Sequence, residues 1–227
     1  MNKEETFRIV RIIAKAGFCS RRQAADFLNE NKVVYKGEQI TRPDLYLTLE
    51  QAKEVYVNGD KIKIDGDVTI VLLYKPTGYV CSHKPQKGQK TIFSLLPPKF
   101  HQYFYAGRLD IDSEGLIVLS NDGSLIFDLT HPSKSKKKVY EITIARPLST
   151  KEEIKARNGF HDKSEKINID DLILIKPAFY RVTMTHGKNR EIRRVMRRIG
   201  SDVKTLKRLS LGKYSLDELK SGKHKVL

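Results

Sequence analysis

An uninterrupted apolar, β-rich run at residues 69–74 (TIVLLY) is the feature that most limits what this chain can fold into. A run of this length and composition is typical of a central strand in a buried sheet. Residues 116–119 (LIVL) form a second such run, and residues 138–144 and 180–185 alternate as strands do. Helical segments lie between these strands. The sequence therefore predicts an α+β fold with a large mixed, mainly antiparallel sheet flanked by helices.

The first 65 residues have the pattern of a small module. Apolar residues recur with helical spacing between positions 9 and 16, and Gly17 follows where a helix would end. Residues 20–23 (SRRQ) have the form of a capping box and predict the start of a second helix. Residues 55–64 contain Asn-Gly between two apolar stretches, which predicts a hairpin. We expect a domain of two helices and a small sheet at residues 1–66, and a larger domain at residues 67–227.

Residues 189–200 predict an amphipathic helix with a very basic polar face. Its apolar stripe is Ile192, Val195, Met196 and Ile199, and its arginines are Arg190, Arg193, Arg194, Arg197 and Arg198. A solvated face is the usual explanation for charge on a helix. Here one sign dominates, and like charges one turn apart repel each other unless a partner binds them.

The 227 residues carry a formal net charge of +16, which favours a polyanionic partner such as nucleic acid. Residues 151–227 contribute most of it, with 20 Lys and Arg against 10 Asp and Glu. A merely solvated basic surface is the alternative. The two cysteines argue against a disulfide scaffold, and they cannot form a four-ligand zinc site alone.

The chain is expected to be cytoplasmic. It has no apolar run of the roughly 18 residues that a membrane span needs, and MNKEETFRIV does not resemble a signal peptide. No membrane association is expected.

The segment GRLDIDSEG at residues 107–115 places Asp110 directly before a predicted core strand. A carboxylate beside an arginine at the mouth of a sheet is a candidate acid, base or nucleophile. It is equally a candidate for a turn carboxylate that binds backbone amides, and the local spacing alone favours that second interpretation.

Five segments, taken in order, resemble one enzyme family. Residues 106–123 (AGRLDIDSEGLIVLSNDG) resemble the signature of the RsuA/RluB-type ribosomal RNA pseudouridine synthases. Residues 73–82 (LYKPTGYVCS), 138–140 (KVY) and 187–194 (GKNREIRR) resemble its other motifs. Residues 6–65 look like the S4-like RNA-binding domain first described in a ribosomal protein. The resemblance implies a pseudouridine synthase domain that follows an S4-like domain.

The resemblance also implies the site. Asp110 matches the essential aspartate, Arg193 the arginine that pairs with it, and Tyr140 the tyrosine that stacks on the uracil. The isomerisation involves neither redox change nor net hydrolysis, so no cofactor and no metal are expected. What Asp110 attacks first, the sugar or the base, or whether it removes a ribose proton, stays open at this point.

The expected partner is ribosomal RNA or a ribosome-assembly intermediate, bound by a monomer. Residues 189–194 look more like members that modify large-subunit rRNA than the one that modifies the small subunit. Arg108 is expected to occupy the space of a flipped nucleotide or to grip it. The other expected RNA contacts are Arg21, Arg22, Lys75, Lys188, Arg190 and Arg194.

Two rival functions stay open at the level of sequence. A non-catalytic RNA-binding protein of ribosome assembly would account for the charge, although it would have no need for the three motif residues together. An RNA hydrolase would use Asp110 and Asp112 as ligands of a metal ion. We expect neither.

Overall fold

A computed structural model describes residues 5–19, 23–62, 68–85, 88–162 and 164–227. The chain divides into two compact units, Met1–Thr69 and Ile70–Leu227. The predicted domain boundary after residue 66 falls within residues 63–67, outside the described residues, and stays a prediction. No helix in the described part of the chain is long and apolar enough to cross a membrane.

After a two-residue strand, the first unit has two helices and then short strands, the order predicted, with a third short helix among those strands. Its elements are β1 (Phe7–Arg8), α1 (Ile9–Lys15), α2 (Ala24–Glu30), β2 (Val33–Tyr35), β3 (Glu38–Gln39), β4 (Tyr46–Leu47), α3 (Leu49–Ala52), β5 (Val55–Val57) and β6 (Asp60–Lys61). The helix α1 ends before Gly17, whose φ of +86° is readily adopted only by glycine. The hairpin β5–β6 turns at Asn58 and Gly59, both with positive φ, as the sequence predicted.

This unit has its own apolar core, formed mainly by one face of α1, one face of α2 and the inner side of the small sheet. The sheet has the strand order β3-β2-β5-β6. In the structure α2 begins at Ala24 and Gln23 is its N-cap. The predicted cap Ser20, together with Arg21 and Arg22, lies outside the described residues.

The second unit is built on one large sheet with helices packed against it. Its elements are β7 (Ile70–Lys75), β8 (Tyr79–Val80), β9 (Lys90–Thr91), β10 (Phe104–Ala106), β11 (Glu114–Ser120), α4 (Gly123–Thr130), β12 (Lys138–Ile144), α5 (Thr150–Asn158), β13 (Phe160–Asp162), β14 (Glu165–Ile167), β15 (Asp171–Lys176), β16 (Phe179–Met184), α6 (Glu191–Arg198), β17 (Val203–Leu211), β18 (Tyr214–Ser215) and β19 (His224–Val226). Three short 3-10 helices lie at Ile92–Leu95, Pro98–Phe100 and Pro132–Lys134.

The nine-stranded sheet runs β15-β16-β12-β17-β11-β7-β19, with β10 paired to β11 and β18 paired to β17. All of its pairings are antiparallel except β11 with β17, so the predicted mixed, mainly antiparallel sheet is confirmed. Both apolar runs, now β7 and β11, pair with each other inside the sheet, where β7 lies next to the edge strand β19. The apolar stripe of α6 is buried as predicted.

Two central strands approach closely at Gly115, beside the segment that carries Asp110. Gly115 faces Arg208 across the parallel β11–β17 pair. Its φ is +117°, and a Cβ at this position would lie 2.3 Å from the carbonyl oxygen of Arg208. The contact leaves no room for a side chain, because the clashing atom is backbone and cannot rotate away.

Gly115→Ala is therefore expected to lower the free energy of unfolding by about 2–4 kcal/mol, the sum of overpacking and backbone strain. Urea unfolding followed by circular dichroism measures the change. Gly222→Ala is the matched control, since Gly222 also has a positive φ, of +76°, but no atom within 4 Å of the added Cβ. Equal losses in both variants would mean that the close approach to Arg208 has no energetic weight.

Candidate active site

The segment that carries Asp110 joins β10 to β11 and is folded into a fixed turn. The carbonyl oxygen of Asp110 accepts a hydrogen bond from the amide of Ser113 at 3.1 Å. The carbonyl of Ile111 accepts one from the amide of Gly78 at 2.8 Å. The amide of Leu109 donates a hydrogen bond to the sulfur of Cys81 at 3.5 Å, and the Cys81 thiol donates one to the carbonyl of Leu109 at 3.6 Å. The backbone on both sides of Asp110 is thus held by residues that follow β7.

Lys75, at the end of β7, is fully buried beneath this turn. Its ammonium donates to the carbonyl oxygens of Pro76 at 3.1 Å, Asp110 at 3.0 Å and Ser113 at 2.6 Å. The prediction that Lys75 contacts phosphate is therefore wrong, because the side chain points into the interior and its three donors are used. Burial lowers the pKa of Lys75, although the Cys81 thiol and nearby carboxylates oppose that shift.

Arg190 connects the turn to the start of α6. Its guanidinium lies 3.1 Å from an oxygen of Asp110 and 3.0 Å from an oxygen of Asp112. One planar cation thus bridges two carboxylates two residues apart, a geometry that suits the forked guanidinium. The side chains of Asp110 and Arg190 are 36% and 41% exposed, so the pair lies at the surface of the site and a ligand can reach it.

Arg193 binds the same turn one helical turn further along, but not through Asp110. Its guanidinium donates to the backbone carbonyl of Asp112 at 3.0 Å and to the hydroxyl of Ser113 at 3.1 Å, and lies 3.2 Å from a carboxylate oxygen of Asp112. It also donates to the carbonyl of Val203. The predicted Arg193–Asp110 pair is therefore wrong in this structure, since Arg193 is committed to the backbone of the turn and Arg190 takes Asp110.

Asp112 is the carboxylate that forms ion pairs with both Arg190 and Arg193. Burial acts to raise its pKa, but the hydrogen bond from Arg190 and the charge of Arg193 outweigh burial, and the pKa of Asp112 lies below its usual value. A metal ion shared by Asp110 and Asp112 would compete with the guanidinium of Arg190 for the same oxygens. Among the described residues no cluster of three or more His, Cys, Asp or Glu side chains has the arrangement of a metal site.

A cavity of about 740 Å³ opens in front of these groups. Six of the predicted site residues line it: Arg108, Asp110, Tyr140, Lys188, Arg190 and Arg193. Tyr140, on β12, is buried with 8% exposure and belongs to the main core. Its hydroxyl has no hydrogen-bond partner within the described part of the chain. Arg108 is exposed and likewise has no ion-pair partner among the described residues.

Residues 69–198 match the family model described as RNA pseudouridylate synthase. An uncharacterized RNA pseudouridine synthase of Rickettsia felis is 31% identical over 97% of this chain and 96% of its own length. The chain belongs to the RNA pseudouridylate synthase family. It is therefore an isomerase that acts on RNA.

More distant matches agree with this assignment. An uncharacterized RNA pseudouridine synthase of Aquifex aeolicus is 27% identical, over 93% of this chain and 88% of its own. A solved structure described as a pseudouridylate synthase superposes with a TM-score of 0.69 at 25% identity, and covers 97% of this chain and 96% of that one. The large sheet with its helices is thus a pseudouridine synthase fold.

In this pseudouridine synthase two further residues that were predicted to contact phosphate, Arg194 and Lys188, bind other groups of the protein. Arg194 lies 2.5 Å from an oxygen of Asp162 and 2.6 Å from one of Glu165. The phosphate contact of Arg194 stays a prediction, and in this structure two carboxylates of the β13–β14 hairpin bind its guanidinium. The ammonium of Lys188 donates to the carbonyl of Lys166, although Lys188 still lines the cavity.

Arg208 is a residue of the synthase that sequence reasoning missed. It is 2% exposed, and it donates to the carbonyl of Leu116 at 2.8 Å and that of Ala106 at 3.3 Å. It thereby ties β10 to β11 at the two ends of the Asp110 segment. No local signal distinguishes Arg208 from the other basic residues of β17, since only the parallel pairing with β11 brings it there.

Proposed function

We propose that this pseudouridine synthase isomerises a specific uridine of ribosomal RNA, with large-subunit rRNA favoured, and that Asp110 is its essential carboxylate. One observation carries the proposal. Asp110 is fixed in its backbone, partly exposed in its side chain, and bound by Arg190 at the wall of a cavity that also contains Tyr140. Each possible first step requires an ionised carboxylate, and the guanidinium of Arg190 lies 3.1 Å from that of Asp110.

The reaction breaks the bond between N1 of uracil and the anomeric carbon, and forms a bond from that carbon to C5. A proton leaves C5 and a proton is gained at N1, so atoms and charge balance without an added reactant. The Asp110 carboxylate acts on the ribose or on the ring, or removes a ribose proton. The ring of Tyr140 can stack on the base, and its unbonded hydroxyl is available near the C5 proton.

The uridine has to leave its helix or loop to enter this cavity, at a cost of a few kcal/mol. Arg108 precedes Asp110 by two residues, is exposed, and has no ion-pair partner in the described part of the chain. A planar guanidinium can stack in the space that the base vacates and can bind the flanking phosphate. We assign Arg108 this role, and Arg190 and Lys188 secondary contacts at the rim.

The first unit is proposed to be an S4-like RNA-binding domain, and the whole enzyme to be of the RsuA/RluB type. The support is the order of two helices and a small sheet in the first unit, together with the five ordered sequence motifs. A second RNA contact on the same chain would raise the effective concentration of the substrate at the cavity. We further propose that the enzyme acts as a monomer in the cytoplasm.

Pseudouridine-specific chemical mapping of rRNA tests the proposal. Cells that lack the protein are expected to lose one modified position, and the purified protein should restore it on rRNA extracted from them. Loss restored on large-subunit rRNA supports the full proposal, and loss restored only on small-subunit rRNA contradicts the subunit preference. An unchanged rRNA map together with activity on another RNA would refute the ribosomal target, and RNA binding without modification of any RNA would refute the enzyme.

A further inference from the structure

The loop between β16 and α6, residues 185–190, delivers Arg190 to the site and is held by a cluster that the proposed reaction does not use. We propose that His186 is a positioning residue whose imidazolium, clamped between two carboxylates, fixes this loop. The inference rests on the proposed function, in which Arg190 orients the carboxylate of Asp110.

Both ring nitrogens of His186 face carboxylate oxygens. Nδ1 lies 2.8 Å from an oxygen of Glu191, and Nε2 lies 3.2 Å from an oxygen of Asp170. An ionised carboxylate only accepts hydrogen bonds, so each ring nitrogen has to donate one. Neutral imidazole carries one N–H, whereas this arrangement uses two, so the geometry selects the imidazolium.

Glu191 makes the charge on His186 important, because it is buried with only 3% exposure. One carboxylate oxygen of Glu191 accepts a hydrogen bond from His186 and another from the amide of Lys188, at 3.0 Å. The second carboxylate oxygen of Glu191 has no hydrogen-bond partner among the described residues. A carboxylate buried in this way needs a cation, and removing the cation leaves an uncompensated charge. His186 is the cation in direct contact.

Asp170 closes the other side of the clamp. Its second oxygen accepts from the amide of Thr185 at 2.5 Å and from the hydroxyl of Thr185 at 2.7 Å. Burial acts to raise the pKa of Asp170, but the hydrogen bonds from Thr185 and the charge of His186 outweigh burial and lower it. Asp170 is therefore an ionised partner for the imidazolium.

One further cation faces the cluster from β12. The ammonium of Lys138 donates to the carbonyl of Thr185 at 2.9 Å and interacts with the charges of both Asp170 and Glu191. Burial and the charge of Arg208 lower the pKa of Lys138, while the two carboxylates oppose the shift. The two carboxylates are thus faced by Lys138 on one side and by the ring of His186 between them.

The backbone of Arg190 explains why the loop needs a clamp. Arg190 is the N-cap of α6 with φ 48° and ψ 32°, a left-handed conformation that residues other than glycine rarely adopt. The contacts of Glu191 with His186 and Lys188 fix the chain on both sides of it. If they are lost, the loop can relax to a conformation in which Arg190 no longer reaches Asp110.

Nitrogen NMR of histidine-labelled full-length protein tests the charge directly. His186 is expected to show two protonated ring nitrogens at neutral pH and to be assigned by its absence in His186→Gln. A single protonated nitrogen throughout pH 6–8 would overturn the clamp. This measurement involves no RNA, so it remains decisive if the proposed reaction fails.

Single-turnover kinetics test the positioning role. His186→Gln is expected to lower the rate constant about tenfold or more with RNA Kd changed less than about twofold, since a positioning contact acts after binding. Exposed His161, on β13, supplies the matched control His161→Gln, which should retain the wild-type rate constant.

Thermal unfolding completes the test. His186→Gln is expected to lower Tm by roughly 5–10 °C, and adding Glu191→Gln should restore most of it, because the unpaired buried charge is then gone. An unchanged rate constant in His186→Gln would overturn the positioning role. If the wild-type protein modifies no RNA, the proposed function is contradicted instead. The NMR and Tm measurements then still test the clamp.

Discussion

Asp110→Asn is expected to lower the rate of pseudouridine formation by roughly 10⁴-fold or more, the scale of loss seen when a catalytic group is removed. RNA affinity should change less than about threefold, because the phosphates and the flipped base are bound by other residues. The amide keeps the shape of the side chain and, in the backbone, the contacts of the turn with Lys75. Only the negative charge that each possible first step needs is lost.

Asp112→Asn is the matched control for this prediction. Asp112 lies two residues away and binds both Arg190 and Arg193, but it is expected to orient those arginines and not to react. Its loss should therefore be smaller, about 10- to 100-fold. Quantitative mapping of pseudouridine in a single-turnover assay distinguishes the two variants. A larger loss in Asp112→Asn than in Asp110→Asn would transfer the essential role to Asp112.

Lys75→Met is expected to have the largest effect on folding, a loss of about 3–5 kcal/mol in the free energy of unfolding. The substitution keeps the volume of the side chain but removes the donor of the Pro76 and Ser113 carbonyls. The Asp110 carbonyl loses one of its two donors and keeps the amide of Ser113. Each unsatisfied buried acceptor costs about 1–3 kcal/mol. Urea unfolding measures the loss, and exposed Lys204, on β17, supplies the control Lys204→Met, which should stay within about 0.5 kcal/mol.

The same variant separates a structural lysine from a phosphate contact. For folded Lys75→Met, the dependence of log Kd for RNA on log salt concentration should keep the wild-type slope. Loss of one phosphate contact would reduce that slope by about 0.7 to 0.9. A reduced slope with normal stability would restore the phosphate role that the sequence suggested and would contradict the buried position of Lys75.

The arginine-rich helix shows where sequence reasoning succeeded and where it ended. The periodicity of residues 189–200 correctly gave the buried stripe of α6, because the apolar pattern depends only on helical geometry. Sequence reasoning did not give the partners of the arginines. Arg194 pairs with Asp162 and Glu165, which lie about thirty residues earlier in the chain and carry no local signal of that contact. Much of the one-signed charge is thus neutralised within the fold.

The sequence by itself determined the large mixed sheet, two apolar strands inside it, the amphipathic α6 and the family motifs around Asp110. These follow from periodicity, turn residues and motif order, which are local properties. Only the tertiary structure decided which cationic side chain forms an ion pair with which carboxylate. Arg190 rather than Arg193 reaches Asp110, and Lys75 lies beneath the turn, because hydrogen bonding and burial depend on strands distant in the chain that the fold brings into contact.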